Sequence, residues 1–372
     1  MYLHSIQICN FKNYEQADFT FSENVNAIVG DNGSGKTNLL DAIHYLSFCK
    51  SYFSAQDQQS VKFDEDFFAI HGEFVGQTDE RTRRVSCVYK AGGRKVMKLN
   101  QKEYERLSDH IGLFPSIMVA PVDSSLIHDG SELRRKFFDM IISQFDKEYL
   151  QALIAYQKLL AQRNSLLKQM FEQGRYDSSL LQVYDLQMAP LAKAIHERRK
   201  AFLSDIQPIF QKHYDFLADS REEVGIDYQS SLNELPMEEL LRRNEQADFR
   251  SGFTCAGVHK DDYDFVMNGK NVRKFSSQGQ QKTFLLALKL TQFDHIFERK
   301  KVKPILLLDD IFDKLDIKRI QKLLYLVGNE HFGQVFLSDT DPKRVERILM
   351  DHDISHKIFT IKNGSVENLL KK

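Results

Sequence analysis

Residues 30–37 read Gly30-Asp31-Asn32-Gly33-Ser34-Gly35-Lys36-Thr37 and fit the pattern G-x-x-x-x-G-K-[ST]. Few eight-residue segments constrain a chain so strongly. Glycines at this spacing let the backbone curl with its N–H groups pointing inward, as a cradle for a phosphate chain. Lys36 supplies a point charge for the terminal phosphates, and the Thr37 hydroxyl suits Mg²⁺. The flanks agree with this. Asn26-Ala27-Ile28-Val29 reads as a short buried strand entering the loop. The stretch from Asn38 through Leu39, Leu40 and Ala42 to Leu46 reads as the helix leaving it, with its N-terminal dipole on the phosphates. The chain is therefore built around a buried strand, a phosphate loop and a helix, and Gly30 through Asn38 are its expected nucleotide contacts.

A second half of the site lies far downstream. Pro304-Ile305-Leu306-Leu307-Leu308-Asp309-Asp310 is an apolar run ending in two carboxylates. Continuous apolar runs mark fully buried parallel strands, and ligands bind beyond the carboxyl ends of such strands. Asp309 takes the Walker B role of holding Mg²⁺, together with Thr37, and Asp310 is placed to polarise the attacking water. Lys36, Asp309 and Asp310 are the expected catalytic groups.

A third piece is Ser276-Ser277-Gln278-Gly279-Gln280-Gln281-Lys282, which precedes an apolar-periodic run from Thr283 to Leu290. It resembles the ABC ATPase signature, in which a serine and a glycine open a helix and form a second γ-phosphate site. In that class the signature faces the partner subunit's ATP, so Ser277, Gly279 and Gln280 are expected to bind nucleotide across a dimer. Gln278 stands where the signature's first glycine is usual. Asp313-Lys314-Leu315-Asp316 fits the D-loop. The strand Phe336-Leu337-Ser338 then brings Asp339 or Thr340 to the place of a transporter's switch histidine.

Between the P-loop and the signature the pattern changes twice. Residues 67–75, 84–90 and 95–100 alternate as strands, with Ala91-Gly92-Gly93-Arg94 as a hairpin turn. This region gathers Arg81, Arg83, Arg84, Lys90, Arg94, Lys95, Lys98 and Lys102, a basic surface that either lies along a phosphate backbone or is simply solvated. Residues 131–172 and 177–216 then carry apolar side chains at helical spacing, with Gly174 between the blocks and Pro190 and Pro208 as expected kinks or breaks. Arg134-Arg135-Lys136 and Arg198-Arg199-Lys200 are expected on solvated faces of those helices. His259, Asp261 and Asp262 offer metal-ligand chemistry, although a turn with self-capping aspartates is the simpler account. Upstream, residues 2–8 and 17–21 read as an antiparallel pair around Asn10-Phe11-Lys12-Asn13-Tyr14; its aromatics either touch the nucleotide or belong to the core. The fold class is α/β, an ABC-type P-loop ATPase head with an inserted helical arm domain. The expected division is 1–125 for the N-terminal ATPase part, 126–250 for the arm and 251–372 for the C-terminal ATPase part.

Lys and Arg total 51 against 52 Asp and Glu. Bulk charge thus points to no nucleic-acid partner, and any such surface must be local. The cysteines Cys9, Cys49, Cys87 and Cys255 are scattered without a C-x-x-C pair, so a reducing cytoplasmic setting is expected rather than disulfides or zinc. No apolar stretch approaches the roughly 20 residues of a membrane span, so no membrane partner is expected.

The insert between Lys36 and Ser277 is longer than in transporter subunits and far shorter than an SMC coiled coil. At this spacing the chain resembles the RecF family of bacterial recombination mediators over nearly its whole length. The carriers are Asn10 through Tyr14, Gly30 through Ala42, Pro121-Val122-Asp123, Gly130-Ser131, Arg134 through Asp139, Gln162 through Leu167, Gly257 through Asp262, Ser277 through Lys282 and Leu307 through Asp310. Departures from the family pattern are Asp41 for a usual Glu, Val122 within a usual Pro-Glu-Asp, and Val258 and Lys260 for usual Pro and Arg. The resemblance implies an ATP-dependent DNA-binding protein of recombinational repair and replication. Such a protein forms a homodimer on ATP, binds double-stranded DNA near single-strand gaps and hydrolyses ATP weakly. It cooperates with RecR and RecO to load recombinase. A transporter ATPase would need a switch histidine, and a small-molecule kinase predicts no signature segment. An SMC-like head serving chromosome organisation shares the chemistry but needs a longer arm.

Overall fold

The chain opens with β1 (Tyr2–Phe11), which turns through Lys12, at a φ of 54°, into antiparallel β2 (Tyr14–Thr20). β3 (Val25–Val29) is buried at every position and delivers the P-loop, from which α1 (Lys36–Phe48) departs. β4 (Phe67–Val75) pairs antiparallel with β1, and β5 (Thr82–Lys90), β6 (Val96–Leu99) and β7 (Lys102–Glu103) extend the meander in the order β2-β1-β4-β5-β6-β7. The burial of β4 alternates from Phe68 onward, as period-2 patterning predicts for a half-covered strand. β8 (Ser116–Val119) is buried throughout and joins the other large sheet. This computed structural model describes residues 1–76, 81–218, 222–314, 317–328, 331–352 and 354–371.

Helices follow: α2 (Ser125–His128), α3 (Ser131–Phe145), α4 (Lys147–Gln173) and α5 (Ser178–Ala218). The first helical block breaks at Asp146, whose carboxylate accepts the Tyr149 N–H at 2.9 Å and caps α4. The second block stays one helix of 41 residues, straight through Pro190 and Pro208. An interior proline costs about 3 kcal/mol. Here the buried stripe Met188, Ala192, Ile195, Ile206, Phe210 and Tyr214 offsets that cost and holds the helix together. Then come β9 (Val224–Gln229), α6 (Met237–Ser251), β10 (Asp262–Met267), β11 (Lys270–Asn271) and α7 (Val272–Phe275).

α8 (Gln278–Lys300) leads back to β12 (Ile305–Leu308), α9 (Ile311–Lys314), α10 (Ile317–Gly328), β13 (Val335–Asp339), α11 (Pro342–Asp351), β14 (His356–Lys362) and β15 (Ser365–Lys371). The second large sheet runs β15-β14-β3-β13-β12-β8, parallel except for β15. β13 therefore lies between the strand that ends in the P-loop and the strand that ends in Asp309. Phe19 near the end of β2 and Phe21 just past it meet Phe359 and Phe336 edge-on at centroid distances of 4.7–5.8 Å. Each buried ring contributes about 1.5–3 kcal/mol. Of the D-loop segment, Leu315 and Asp316 lie outside the described residues.

The chain forms two compact units, one of Met1–Asp123, Phe216–Asp219 and Lys282–Lys372, the other of Ser124–Asp215 and Ser220–Gln281. The second unit thus runs on to Gln281 rather than ending near residue 250. The reason is β-pairing: β10 lies antiparallel to β9, with Asp262 opposite Gln229, in a three-stranded sheet β11-β10-β9. The inserted unit is helices plus a small sheet, and residues 276–281 of the signature-like segment belong to it.

Two basic clusters expected in solvent differ from that expectation. Arg199 is only 2% exposed. Its guanidinium reaches Asp139 at 2.9 and 3.0 Å, Asp261 at 2.8 Å and the Val258 carbonyl at 2.8 Å. Arg134 grips Asp262 with both of its forks, at 2.7 and 2.9 Å. A third arginine, Arg163, is fully buried against Asp185, Asp248 and Thr254. A buried carboxylate needs such a partner, and the guanidinium fork supplies it.

Candidate nucleotide site

Gly30 and Gly35 set the shape of the loop. Gly30 has a φ of 154°, and a Cβ there would stand 2.3 Å from the Ile361 carbonyl oxygen. Gly35 has a φ of 121°, and a Cβ there would stand 2.8 Å from the Asn13 amide. No other residue type fits either position. Below the loop, the Asn13 amide donates to the Ser34 carbonyl at 3.0 Å, and Tyr14 Oη donates to the Gly35 carbonyl at 3.0 Å. The Asn38 side chain closes the bracket by donating to Asn13 Oδ1 at 2.7 Å. Phe11 and Tyr14 are fully buried, so these aromatics belong to the core, with Tyr14 also bracing the loop.

The Lys36 ammonium donates to the carbonyls of Gly30 at 2.8 Å and Asp31 at 3.0 Å. It is thereby held on the loop itself. α1 begins at Lys36, so the first-turn amides have no intrahelical carbonyl to serve and are suited to an anion. Thr37 Oγ1 donates to Asp309 Oδ1 at 2.9 Å and lies 3.1 Å from Oδ2. Two residues far apart in sequence thus meet as the motif chemistry requires. Asp309 is 4% exposed, and burial pushes its carboxyl pKa up; hydrogen bonds from Ser338 and Thr37 oppose that rise, and the neighbouring Asp310 charge adds to it. Asp310 has a φ of 46°, a left-handed conformation at the strand end. Its N–H donates to Ser338 Oγ at 2.9 Å.

A hydroxyl beside a buried carboxylate is a hard-oxygen donor set that suits Mg²⁺. Among the described residues no cluster of three His, Cys, Asp or Glu side chains could hold a metal alone. Mg²⁺ fits that situation, because it takes one or two protein oxygens and completes its shell with phosphates and water.

Ser338 is the functional residue that the motif reading missed. Its hydroxyl donates to Asp309 Oδ1 at 2.8 Å while accepting from Asp310. Only the strand order, with β13 between the two motif strands, reveals it. Asp339, one of two residues expected at the switch position, is 1% exposed and bound to Arg344 through both oxygens at 2.7 and 2.8 Å. Its carboxylate is therefore committed to a structural pair.

In the second unit, Ser277 and Gln280 form a reciprocal cap at the start of α8. The Ser277 N–H donates to Gln280 Oε1 at 2.7 Å, and the Gln280 N–H donates to Ser277 Oγ at 3.3 Å. The Gln280 amide also reaches Glu222 at 2.5 Å, so its side chain is spent on the cap. Ser277 stays exposed, with Gly279 half-buried beside it. His259, Asp261 and Asp262 form no metal site. His259 lies 2.8 Å from Tyr156 Oη and 3.0 Å from the Thr254 carbonyl, burial lowers its pKa to about 4, and both aspartates are paired with arginines. The basic β region is partly neutralised: Arg84 pairs with Glu73, Arg94 with Glu103 and Lys95 with Asp57. No disulfide joins the four cysteines, and no helix among the described residues is long and apolar enough to cross a membrane.

A P-loop and a Walker B aspartate on one mostly parallel sheet, with a serine–glycine segment opening α8, define an ABC-type ATPase head. The RecF/RecN/SMC N-terminal domain model matches residues 2–364. The chain is 44% identical to the DNA replication and repair protein RecF of Flavobacterium johnsoniae, over 97% of this chain and all of that one. It is 42% identical to the Bacteroides thetaiotaomicron RecF over 99% of each chain. The solved structure of the recombination mediator protein RecF with ATP, from the RecFOR pathway, superposes with a TM-score of 0.90 at 31% identity, covering 99% of this chain and 97% of that one. An Smc head bound to a ScpA domain shares the fold alone, with a TM-score of 0.57 at 16% identity. The chain belongs to the RecF family.

Proposed function

We propose that this protein is an ATP-dependent DNA-binding ATPase of recombinational repair and replication. The observation that carries it is the cluster of Thr37, Asp309 and Ser338 behind the P-loop. Its hydroxyl and carboxylate oxygens suit Mg²⁺, which phosphoryl transfer uses to neutralise developing charge. In this reading Gly30 through Asn38 bind the triphosphate of ATP, and Lys36 neutralises its terminal phosphates. Thr37 and Asp309 hold Mg²⁺, directly or through water. Bound Mg²⁺ would draw charge from the β- and γ-phosphates. Asp310 holds the attacking water for in-line displacement, and turnover is slow. Ser277 and the Gly279 amide reach the γ-phosphate bound by a second copy, so ATP completes a homodimer. Gln280 enters as the residue that fixes Ser277 rather than as a ligand. With the Asp339 carboxylate committed to Arg344, Thr340 is left as the residue beside the γ-phosphate.

RecF relatives are called DNA replication and repair proteins, and the RecF–ATP structure is assigned to the RecFOR pathway. On that footing double-stranded DNA beside single-strand gaps is the proposed substrate surface, with RecR and RecO as partners in recombinase loading and the cytoplasm as the compartment. Dimer formation joins two modest basic strips into one cleft, which accounts for DNA affinity in a chain of net charge −1. The test is binding of a gapped duplex with and without ATP across a salt series. ATP-stimulated, salt-steep binding is the expected result. Equal binding with and without ATP would contradict it.

A further inference from the structure

Five residues with no part in the nucleotide chemistry, Lys12, Asp41, Tyr52, Asp123 and Lys289, meet inside the first unit. Asp41 lies on α1, one turn past Thr37, and is fully buried. Its Oδ2 takes the Lys12 ammonium at 2.6 Å and the Ser51 hydroxyl at 2.6 Å, and its Oδ1 takes the Tyr52 N–H at 2.7 Å. The Tyr52 side chain then donates its hydroxyl to Asp123. Lys289 on α8 closes the line. Its ammonium, 2% exposed, reaches Asp123 Oδ1 at 2.9 Å, Tyr52 Oη at 2.9 Å and the Met118 carbonyl at 2.7 Å. The Ala120 N–H occupies Asp123 Oδ2 at 2.7 Å. Lys12 itself precedes Asn13, the residue that braces the P-loop.

We infer that this line of hydrogen bonds, Lys12–Asp41–Tyr52–Asp123–Lys289, couples nucleotide at the P-loop to the placement of α8, with Lys289 as the positioning residue. The inference rests on the proposed role of the signature segment at the start of that same helix. Stability alone does not explain the line, because apolar side chains of equal volume stabilise a core at least as well as a buried ion pair. What a fully paired network adds is one defined, rigid arrangement. The phosphates act on the first turn of α1, and Asp41 lies one turn further along it. Lys289 lies about three turns into α8, the helix that Ser277 precedes and whose first turn holds Gly279. This gives a physical role to Asp41 and Asp123, which the motif chemistry left unused.

The test uses the full chain with ATPγS as probe, at a concentration where it is monomeric, and follows amide hydrogen exchange over residues 278–285. In the wild type, nucleotide is expected to change exchange across this stretch. Lys289→Met and Tyr52→Phe are expected to bind ATPγS within threefold of wild type and to lose most of that change. At higher concentration their ATP-dependent dimer should be at least tenfold weaker. Tyr52→Phe removes one hydroxyl and no charge, so it decides the matter if Lys289→Met fails to fold. Variants whose α8 responds as in the wild type would overturn the coupling, as would a wild-type α8 that ignores nucleotide. If the wild type never dimerises but α8 responds through Lys289, the coupling stands and the signature role falls.

Discussion

Ser338 Oγ donates to Asp309 Oδ1 at 2.8 Å and in the same geometry accepts the N–H of Asp310 at 2.9 Å. One hydroxyl on β13 therefore orients the Asp309 carboxylate, the proposed Mg²⁺ ligand, and pins the left-handed residue after it. A hydrogen bond to a charged group is worth about 1.5–3 kcal/mol. Ser338→Ala is expected to lower the ATP turnover number by roughly ten- to a hundredfold. ATP affinity should change far less, since the loop and Lys36 are untouched. Steady-state turnover alongside equilibrium nucleotide titration separates the two.

Lys36→Ala removes the cation that the loop holds over Gly30 and Asp31. Charge-assisted contacts to phosphate are among the strongest hydrogen bonds. The variant should lose ATP-dependent dimerisation while keeping its fold, as judged by circular dichroism and light scattering. Dimerisation at wild-type ATP and protein concentrations would contradict the assignment.

Asp309 supplies a prediction with a definite sign. Burial raises its folded pKa above the unfolded value. Such a carboxyl destabilises the fold fully at pH above its folded pKa, and the penalty shrinks as pH falls from the folded pKa and is gone below the unfolded pKa. Asp309→Asn should therefore raise the Tm of the nucleotide-free protein at neutral pH, with the gain shrinking on acidification. In the wild type, Mg²⁺-dependent ATP binding should begin to weaken at a higher pH than an ordinary carboxylate would dictate. Calorimetry in EDTA tests the first statement, and a pH series of ATP titrations tests the second.

Arg198 and Arg199 are neighbours with opposite fates. Arg198 is half-exposed, whereas Arg199 is buried among Asp139, Asp261 and Tyr149. Removing one partner of a buried pair costs about 3–5 kcal/mol, against about 0–1 kcal/mol for an exposed one. Arg199→Ala should unfold the second unit at a much lower temperature, and Arg198→Ala should leave the melting curve nearly unchanged.

The same pair shows where the sequence stopped being legible. The P-loop, β3, β4 and the strand ending at Asp309 follow from local spacing, and each lies where that spacing puts it. Thr37 meeting Asp309 was also legible, since a P-loop with a downstream apolar run and an acid implies that contact. Arg199 was not, because its partners lie 60 and 62 residues away in sequence and no local pattern announces them. The break at Asp146 and the unbroken run through Pro190 and Pro208 likewise depend on tertiary packing that overrides propensity. Ser338 reads in the sequence only as part of a strand, and the neighbouring strands alone give it a role.

The central claim is that two chains share ATP, with Ser277 of one facing the P-loop of the other. Sedimentation of Asp310→Asn, with and without ATP and Mg²⁺, tests it most directly. The variant keeps the phosphate loop and loses the group proposed to hold the attacking water, so ATP should trap a dimer. Adding Ser277→Arg should abolish that dimer while ATP still binds the monomer. A monomer throughout, with ATP bound, would contradict the shared site and return the signature segment to a purely structural cap.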